Sequence, residues 1–186
     1  MYQTSDIRKG LKVEVDGAPW MIVDFQFVKP GKGQAFTRTK MKNLLTGNVV
    51  DRTYKTGETL APADIEEKTM TYLYAETDMF HFMDTTDFHQ VGITPEIVGD
   101  AKDWLIEQME VQILFYKQRP VSLDLPNFVD LEVTYCEPGV RGNTAQGTTK
   151  QATVSTGAVI AVPLFIESGE TIRVDTRTGE YVGRAN

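Results

Sequence analysis

Short runs of β-prone residues, separated by turns that contain glycine, proline or aspartate, occupy most of this chain of 186 residues. Residues 11–15 and 19–23 flank the turn signal Asp16-Gly17-Ala18, so we expect the chain to open as a β-hairpin. Similar runs recur to the end of the chain, among them residues 69–74, 110–116, 128–136 and 171–175. The pattern predicts an all-β fold.

The middle of the chain carries one helical pattern. Thr94 is placed as an N-cap and Pro95 as the first helical residue, and apolar residues follow along one side. These apolar residues are Ile97, Val98, Ala101, Trp104 and Leu105. A mostly β segment with one short helix is typical of a small five-stranded barrel, and a sandwich fragment is the alternative.

Charge divides the chain into unequal thirds, although the net charge is −7. Residues 1–60 carry 10 Lys and Arg against 6 Asp and Glu, whereas residues 61–128 carry 4 against 13 and residues 129–186 carry 5 against 7. The balance changes sign at Ala61-Pro62-Ala63-Asp64, which predicts the first domain boundary. Residues 25–50 contain no acidic residue and five cations, which are Lys29, Lys32, Arg38, Lys40 and Lys42. The positive charge of that region is sufficient for it to bind phosphate groups.

A lysine between two glycines lies inside this basic region, in Val28-Lys29-Pro30-Gly31-Lys32-Gly33-Gln34-Ala35-Phe36. We interpret the segment as the tip of a β-hairpin whose backbone is shaped by Pro30, Gly31 and Gly33. A tip built in this way presents its long side chain outward. The sequence therefore predicts that Lys32 is displayed to a partner.

The strand that returns from this tip is predicted over residues 34–42. With a period of two, one face carries Phe36, Arg38, Lys40 and Lys42, at a spacing of roughly 6.6 Å. The other face carries Ala35, Thr37, Thr39 and Met41. A row of cations with one aromatic residue suits a polyanion backbone better than a small substrate.

Catalytic and metal-binding patterns are weak in this sequence. His81, Asp84, Asp87 and His89 lie close together, but the histidine spacing is not that of a standard metal site. The Gly31-Lys32-Gly33 segment lacks the preceding glycine and the following hydroxyl residue of a phosphate loop. We therefore predict a binding protein with no catalytic residues, no metal and no cofactor.

The first nine residues show neither a hydrophobic run nor a cleavage site of small residues, and no segment is apolar enough to span a membrane. Cys136 is the only cysteine, so no internal disulfide can form, and we expect it to be an ordinary small residue. These features predict a cytoplasmic protein that does not associate with membranes.

Two long motifs more than a hundred residues apart resemble the elongation factor P family of bacteria. The first is the tip from Lys29 to Phe36, and the second is Lys150-x-Ala152-x4-Gly157-x2-Ile160-x-Val162-Pro163-x2-Ile166-x2-Gly169. Shorter matches extend the likeness over essentially the whole chain: Leu44-Leu45-Thr46-Gly47, Leu73-Tyr74, Pro126-Asn127-Phe128 and Gly179-Glu180-Tyr181-Val182-x-Arg184.

The resemblance implies three β-barrel domains in an L shape, namely an SH3-like (KOW-like) domain over 1–64 and two OB-fold domains over 65–128 and 129–186. It further implies a monomeric translation factor that binds the 70S ribosome between the peptidyl and exit tRNA sites. Such a factor contacts peptidyl-site tRNA, stimulates peptide-bond formation and relieves stalling at consecutive prolines. An acidic body similar in outline to a tRNA fits the charge of the middle module.

The resemblance also assigns roles to residues. Lys32 matches the residue that reaches toward the peptidyl-transferase centre, and it implies β-lysylation, or a related lysine modification, by an enzyme resembling lysyl-tRNA synthetase. RNA contacts are expected at Lys29, Arg38, Lys40, Lys42, Gly142, Asn143, Thr144, Tyr181 and Arg184. Asn143 stands where the family commonly has aspartate, so the role of that loop is carried over less directly.

Two other classes of function compete with this interpretation. A stand-alone RNA-binding protein or chaperone of the OB type would bind free single strands with a strong dependence on salt. The acidic middle module argues against it, because that module offers no dense aromatic and basic surface. A metal-dependent enzyme centred on His81 and His89 is the third hypothesis.

Overall fold

The computed structural model describes residues 1–138 and 148–185. Strands dominate these residues and form three β-sheets, two of them curled or barrel-like, so the predicted all-β fold is confirmed. None of the helices in the two described ranges is long and apolar enough to cross a membrane.

The first sheet has the strand order β1-β6-β2-β3-β4-β5. Its strands are β1 (Tyr2–Gln3), β2 (Lys12–Val15), β3 (Ala18–Val28), β4 (Phe36–Asn43), β5 (Val49–Lys55) and β6 (Thr59–Pro62). The predicted opening hairpin is confirmed, because β2 pairs with β3 across the Asp16-Gly17 turn. Its core is apolar and includes Val13, Ile22 and Met41, each at most 1% exposed.

The second sheet has the strand order β11-β10-β7-β8-β9. Its strands are β7 (Ile65–Glu76), β8 (Met79–Asp84), β9 (Gln90–Ile93), β10 (Glu110–Tyr116) and β11 (Arg119–Asp124). Phe82 and Ile113 are fully buried. The β-prone runs at residues 69–74 and 110–116 therefore predicted strands correctly, whereas β9 and β11 were not predicted.

The predicted helix is shorter than its apolar side suggested. It covers only Pro95–Val98 and is followed by a 3-10 turn over Gly99–Asp103. The backbone leaves the helical region at Gly99, where φ is 55°, and Thr94 makes no side-chain capping hydrogen bond. Trp104 lies beyond both turns, so the apolar spacing reflects packing of an irregular segment rather than one continuous helix.

The third sheet has the strand order β14-β13-β12-β15-β16. Its strands are β12 (Phe128–Cys136), β13 (Thr149–Val154), β14 (Val159–Pro163), β15 (Thr171–Asp175) and β16 (Glu180–Arg184). The two edge strands β14 and β16 also lie against each other, so this sheet curls toward a barrel. β14 ends at Pro163, because proline has no N–H to continue the ladder.

The third core includes a residue from the short helical segment. Trp104 is 9% exposed and packs with Val129, Leu131 and other buried residues of the third sheet. Its indole ring also lies 3.4 Å from the position that a Cβ on Gly179 would occupy. A side chain assigned from sequence to a helix of the middle module is thus part of the core of the next sheet.

By packing, the chain divides into two compact units. One contains Met1–Lys68 with Ile113–Ser122, and the other contains Thr69–Gln112 with Leu123–Asn186. The domain boundaries at residues 64 and 128 stay predictions.

A group of hydrogen bonds within the first unit, which we call the Glu14 clasp, links the β2–β3 hairpin to the end of β10 and the β10–β11 turn. Tyr116 donates its hydroxyl proton to the Glu14 carboxylate, and Lys117 Nζ lies 3.3 Å from the same Oε1 atom. Lys117 and Gln118 form the β10–β11 turn with φ of 49° and 66°, a conformation that non-glycine residues rarely adopt. The bond from Lys117 N to Asp64 O, 3.0 Å long, also holds this turn.

This clasp predicts a specific acid sensitivity. Hydrogen bonds from Tyr116, and then from Lys117, lower the pKa of Glu14. Because the folded-state pKa is depressed, the stabilisation is present above the unfolded-state pKa and is lost as the pH falls through the folded-state pKa. We expect Glu14→Gln to lower the melting temperature at neutral pH and to approach wild type in acid. Thermal unfolding followed by circular dichroism across pH measures this, and a constant difference at every pH would contradict it.

Candidate nucleic-acid interface

The two strands β3 and β4 form a long antiparallel arm. Their register runs from Trp20 opposite Asn43 to Val28 opposite Phe36, with one irregularity between Ile22 and Asp24. The residues between the strands, 29–35, form the connecting loop. The prediction of a hairpin tip in this segment is confirmed, although β4 begins two residues later than predicted.

Lys32 lies at the exposed end of this loop, together with both flanking glycines. Gly33 has a φ of 100°, which favours glycine because it lacks a Cβ atom. Gly31 differs, because its φ lies outside the left-handed region, while an added Cβ would meet open space at either glycine. Lys29 is exposed and Pro30 is half-buried. Of the two glycines, only Gly33 therefore has a backbone conformation that favours glycine.

The returning side of the loop is braced against the end of β5. Gln34 donates from Nε2 to the carbonyl oxygen of Thr56 at 2.7 Å, and Thr56 N donates to Ala35 O at 3.0 Å. Thr56 belongs to a tight turn at the end of β5. In this turn Glu58 N donates to Lys55 O, and Lys55 N donates to a Glu58 carboxylate oxygen. This brace leaves Lys32 only two residues from a fixed point.

The predicted alternation along β4 is confirmed. Arg38, Lys40 and Lys42 are exposed, whereas Thr37, Thr39 and Met41 are buried. Thr39 donates its hydroxyl proton to Arg52 O at 2.7 Å, so its polar group is satisfied on the inner face. The outer face therefore carries the row of cations that the sequence placed there.

The members of this row have different neighbours. Lys40 lies between Asp24 on β3 and Asp51 on β5, two carboxylates directly opposite it. Arg38 lies between the uncharged Gln26 and Thr53. Directly opposite neighbours have Cβ atoms roughly 4.5 to 5.5 Å apart and diagonal neighbours roughly 7 to 8 Å, so the acidic pair lies closer to Lys40 than to Arg38. Both carboxylates also line an open concavity with Arg38, and Asp24 lies 3.7 Å from Lys9 Nζ.

Two further cations belong to the row. Lys42 lies between Met21 and Val49, and Lys55 of β5 lies opposite Phe36. Lys55 is exposed, and the sequence analysis did not select it because it is 19 residues from Phe36 along the chain. A period-two count on β5 predicts its outward direction, but only the register places it beside the aromatic ring.

The residues expected to bind RNA in the third sheet have internal partners. Tyr181 is half-buried against the third core. Arg184 lies 4.6 Å from the ring centroid of Phe165, and its Nε atom lies 3.2 Å from a Glu170 carboxylate oxygen. Gly142, Asn143 and Thr144 lie outside the described residues. The RNA contacts at all these positions stay predictions.

The histidines that suggested a metal site have other contacts. His81 stacks on Tyr74 with ring centroids 4.5 Å apart, and its Nε2 atom lies 3.1 Å from a Glu76 carboxylate oxygen. His89 N donates to the Asp87 carboxylate at 2.8 Å within a surface turn. Within residues 1–138 and 148–185, no three His, Cys, Asp or Glu side chains are arranged to hold a metal ion.

Family models match nearly the whole chain in three consecutive segments. The model described as "Elongation factor P (EF-P) KOW-like domain" matches residues 3–60. The "Elongation factor P (EF-P) OB domain" matches residues 65–123, and "Elongation factor P, C-terminal" matches residues 129–184.

Full-length relatives agree with these models. The chain is 50% identical over 184 residues to "Elongation factor P" of Syntrophus aciditrophicus, covering 99% of this chain and 98% of the relative. It is 52% identical to "Elongation factor P" of Microcystis aeruginosa, covering 99% of this chain and 100% of the relative. Among solved structures, "Eukaryotic translation initiation factor 5A from Methanococcus jannaschii" has a TM-score of 0.52 at 22% identity. That match covers 63% of this chain and 87% of the other, and it supports the fold alone.

The brace at Gln34 predicts how the tip is held. We expect Gln34→Met, which keeps the length of the side chain and removes its donor, to increase the motion of the Gly31 and Gly33 amides. Exchange of the Thr56 amide should accelerate by about two- to tenfold, the usual net value of one hydrogen bond. NMR relaxation and hydrogen exchange measure both effects. Gln26→Met, on the same arm, is the matched control and should change neither amide, and equal effects from the two variants would contradict the brace.

Proposed function

The chain belongs to the elongation factor P family, and we propose on that basis that it binds the ribosome between the peptidyl-tRNA and exit-tRNA sites. As a translation elongation factor of the cytoplasm, it acts as a monomer on peptidyl-tRNA and stimulates peptide-bond formation. Its substrate complex is a ribosome stalled at consecutive prolines. Three domains, over 1–64, 65–128 and 129–186, share the binding.

The observation that carries this proposal is the position of Lys32. Its side chain is exposed at the end of a two-stranded arm, beyond a brace that fixes the loop two residues away. A long cationic side chain on a supported tip reaches a target that the body of the protein cannot enter. The exposed cations of β4 lie behind Lys32 and provide positive charge for contacts with the RNA backbone.

Positioning is sufficient for the activity that we propose. The proline ring restricts backbone geometry, which makes proline a poor substrate for peptide transfer. A tenfold to hundredfold acceleration of a stalled step requires about 1.4 to 2.7 kcal/mol of barrier reduction. Holding a reactant in its reactive geometry can supply as much as about 7 to 11 kcal/mol. The protein therefore needs no acid, base or metal of its own, and Lys32 acts as a positioning arm.

Modification of Lys32 extends this arm. We propose that an enzyme resembling lysyl-tRNA synthetase attaches a β-lysyl group, or a related group, to the Lys32 amine. The added chain increases reach and adds hydrogen-bond donors for RNA phosphates and hydroxyls. Gly31 and Gly33 leave space around the amine, since neither carries a side chain.

The first test compares two reporters of translation. We expect Lys32→Ala to slow synthesis of a polyproline reporter by at least about tenfold relative to wild type, and to leave a proline-free reporter nearly unchanged. Lys102→Ala removes an exposed lysine from the 3-10 turn of the second unit and serves as the matched control. Equal slowing of both reporters by Lys32→Ala would contradict the proposal and favour a general RNA-binding protein.

The second test measures the mass of the peptide that contains Lys32. Protein isolated from its native organism should carry a mass increase on this peptide, and fragmentation should assign it to Lys32 rather than Lys29. The increase should disappear in Lys32→Arg, because arginine offers no primary amine. An unmodified native peptide would refute the modification and leave the fold and the reporter test unaffected.

A further inference from the structure

Four side chains meet on the outer face of the first sheet, next to the tip. The register pairs Phe36 with Lys55 and Arg38 with Thr53, so the four occupy two adjacent cross-strand pairs. Together with Gln34 they line an open concavity. We call Phe36, Arg38, Thr53 and Lys55 the Arg38–Lys55 patch.

The polar groups of this patch are suited to an anion. Arg38 and Lys55 are cations, and the Thr53 hydroxyl can donate a third hydrogen bond. Arg38 Cζ lies 5.5 Å from the ring centroid of Phe36, and this stacking restrains the guanidinium plane. A restrained guanidinium matches the paired oxygens of a phosphate better than a mobile cation does.

Carboxylates lie outside the patch. None is among the described residues that line its concavity, although Arg38 and Thr53 also line a neighbouring concavity with Asp24 and Asp51. Glu58, three residues after Lys55, accepts a hydrogen bond from the backbone N of Lys55 at 3.2 Å. The next outward-facing cation along β4 has acidic neighbours, because Lys40 lies between Asp24 and Asp51. Asp24 and Asp51 therefore lie directly opposite Lys40 and only diagonally to Arg38, which makes the surroundings of Lys40 less favourable for an anion than those of the Arg38–Lys55 patch.

We propose that the Arg38–Lys55 patch binds a phosphate group of an RNA backbone, and that Lys40 contributes little because its carboxylate neighbours offset its charge. This inference rests on the proposed function, in which the arm meets ribosomal RNA or tRNA. It adds Lys55 to the interface, assigns phosphate binding to Arg38 among the three cations of β4, and reduces the expected RNA contact of Lys40 to a minor one. Lys42 lies outside the patch.

The test measures binding of the full chain to 70S ribosomes carrying peptidyl-site tRNA over a series of salt concentrations. We expect Arg38→Gln and Lys55→Gln each to weaken binding about three- to tenfold and to reduce the slope of log K against log salt by about one. Arg38→Lys should keep the slope and recover only part of the affinity, because it retains charge and loses the planar guanidinium.

Two variants of the neighbouring residues act as controls. Lys40→Gln should weaken binding less than twofold, and Asp51→Asn should tighten binding because it exposes the charge of Lys40. Trp20 fluorescence and the melting temperature verify that each variant is folded, since Trp20 packs against the first core. Equal losses from Lys40→Gln and Lys55→Gln, or an unchanged salt slope in Lys55→Gln, would overturn the inference.

The outcomes separate this inference from the function on which it rests. If Lys32→Ala slows the polyproline reporter but the patch variants bind like wild type, the patch is refuted and the function is retained. If wild-type protein does not bind these ribosomes, both fail.

Discussion

The register of β4 is the constraint on which the candidate interface depends. Met41 is fully buried and Thr39 donates to a backbone carbonyl, so one face of this strand is committed to the interior. A shift of one residue would bury Arg38 and Lys40 and expose Met41, at a cost set by desolvating two cations. The core of the first sheet therefore fixes which side chains face outward, and it also places the loop at the end of the arm.

The arm combines a fixed base with a short free tip. Strand pairing and the Gln34 brace fix the base, whereas Lys32 is connected to it through Gly33, whose backbone has access to conformations closed to other residues. Positioning of a reactant is effective when little freedom is left to lose on binding. A loop that is restrained on one side and carries a long exposed side chain satisfies this requirement without any catalytic group.

The three sheets show where sequence patterns are informative. Runs of β-prone residues identified β10, β12 and β15 with their observed ends, because β-branched and aromatic residues are enriched in strands. The helix was overestimated for a related reason, since the apolar residues after Gly99 are buried in an irregular segment and one of them, Trp104, packs against the third sheet. Periodicity reports which residues are buried but not which sheet buries them.

The sequence alone determined the all-β class, the hairpin tip with Lys32 at its end, the row of cations on β4 and the family to which the chain belongs. These features are local, because turn residues and alternation act over a few residues, or they are motifs that a chain carries in order. Tertiary structure alone decided that Asp24 and Asp51 flank Lys40, that Lys55 lies beside Phe36, and that Gln34 reaches Thr56. Those contacts depend on strand register across 11 to 22 residues of chain, which side-chain preferences at each position do not encode.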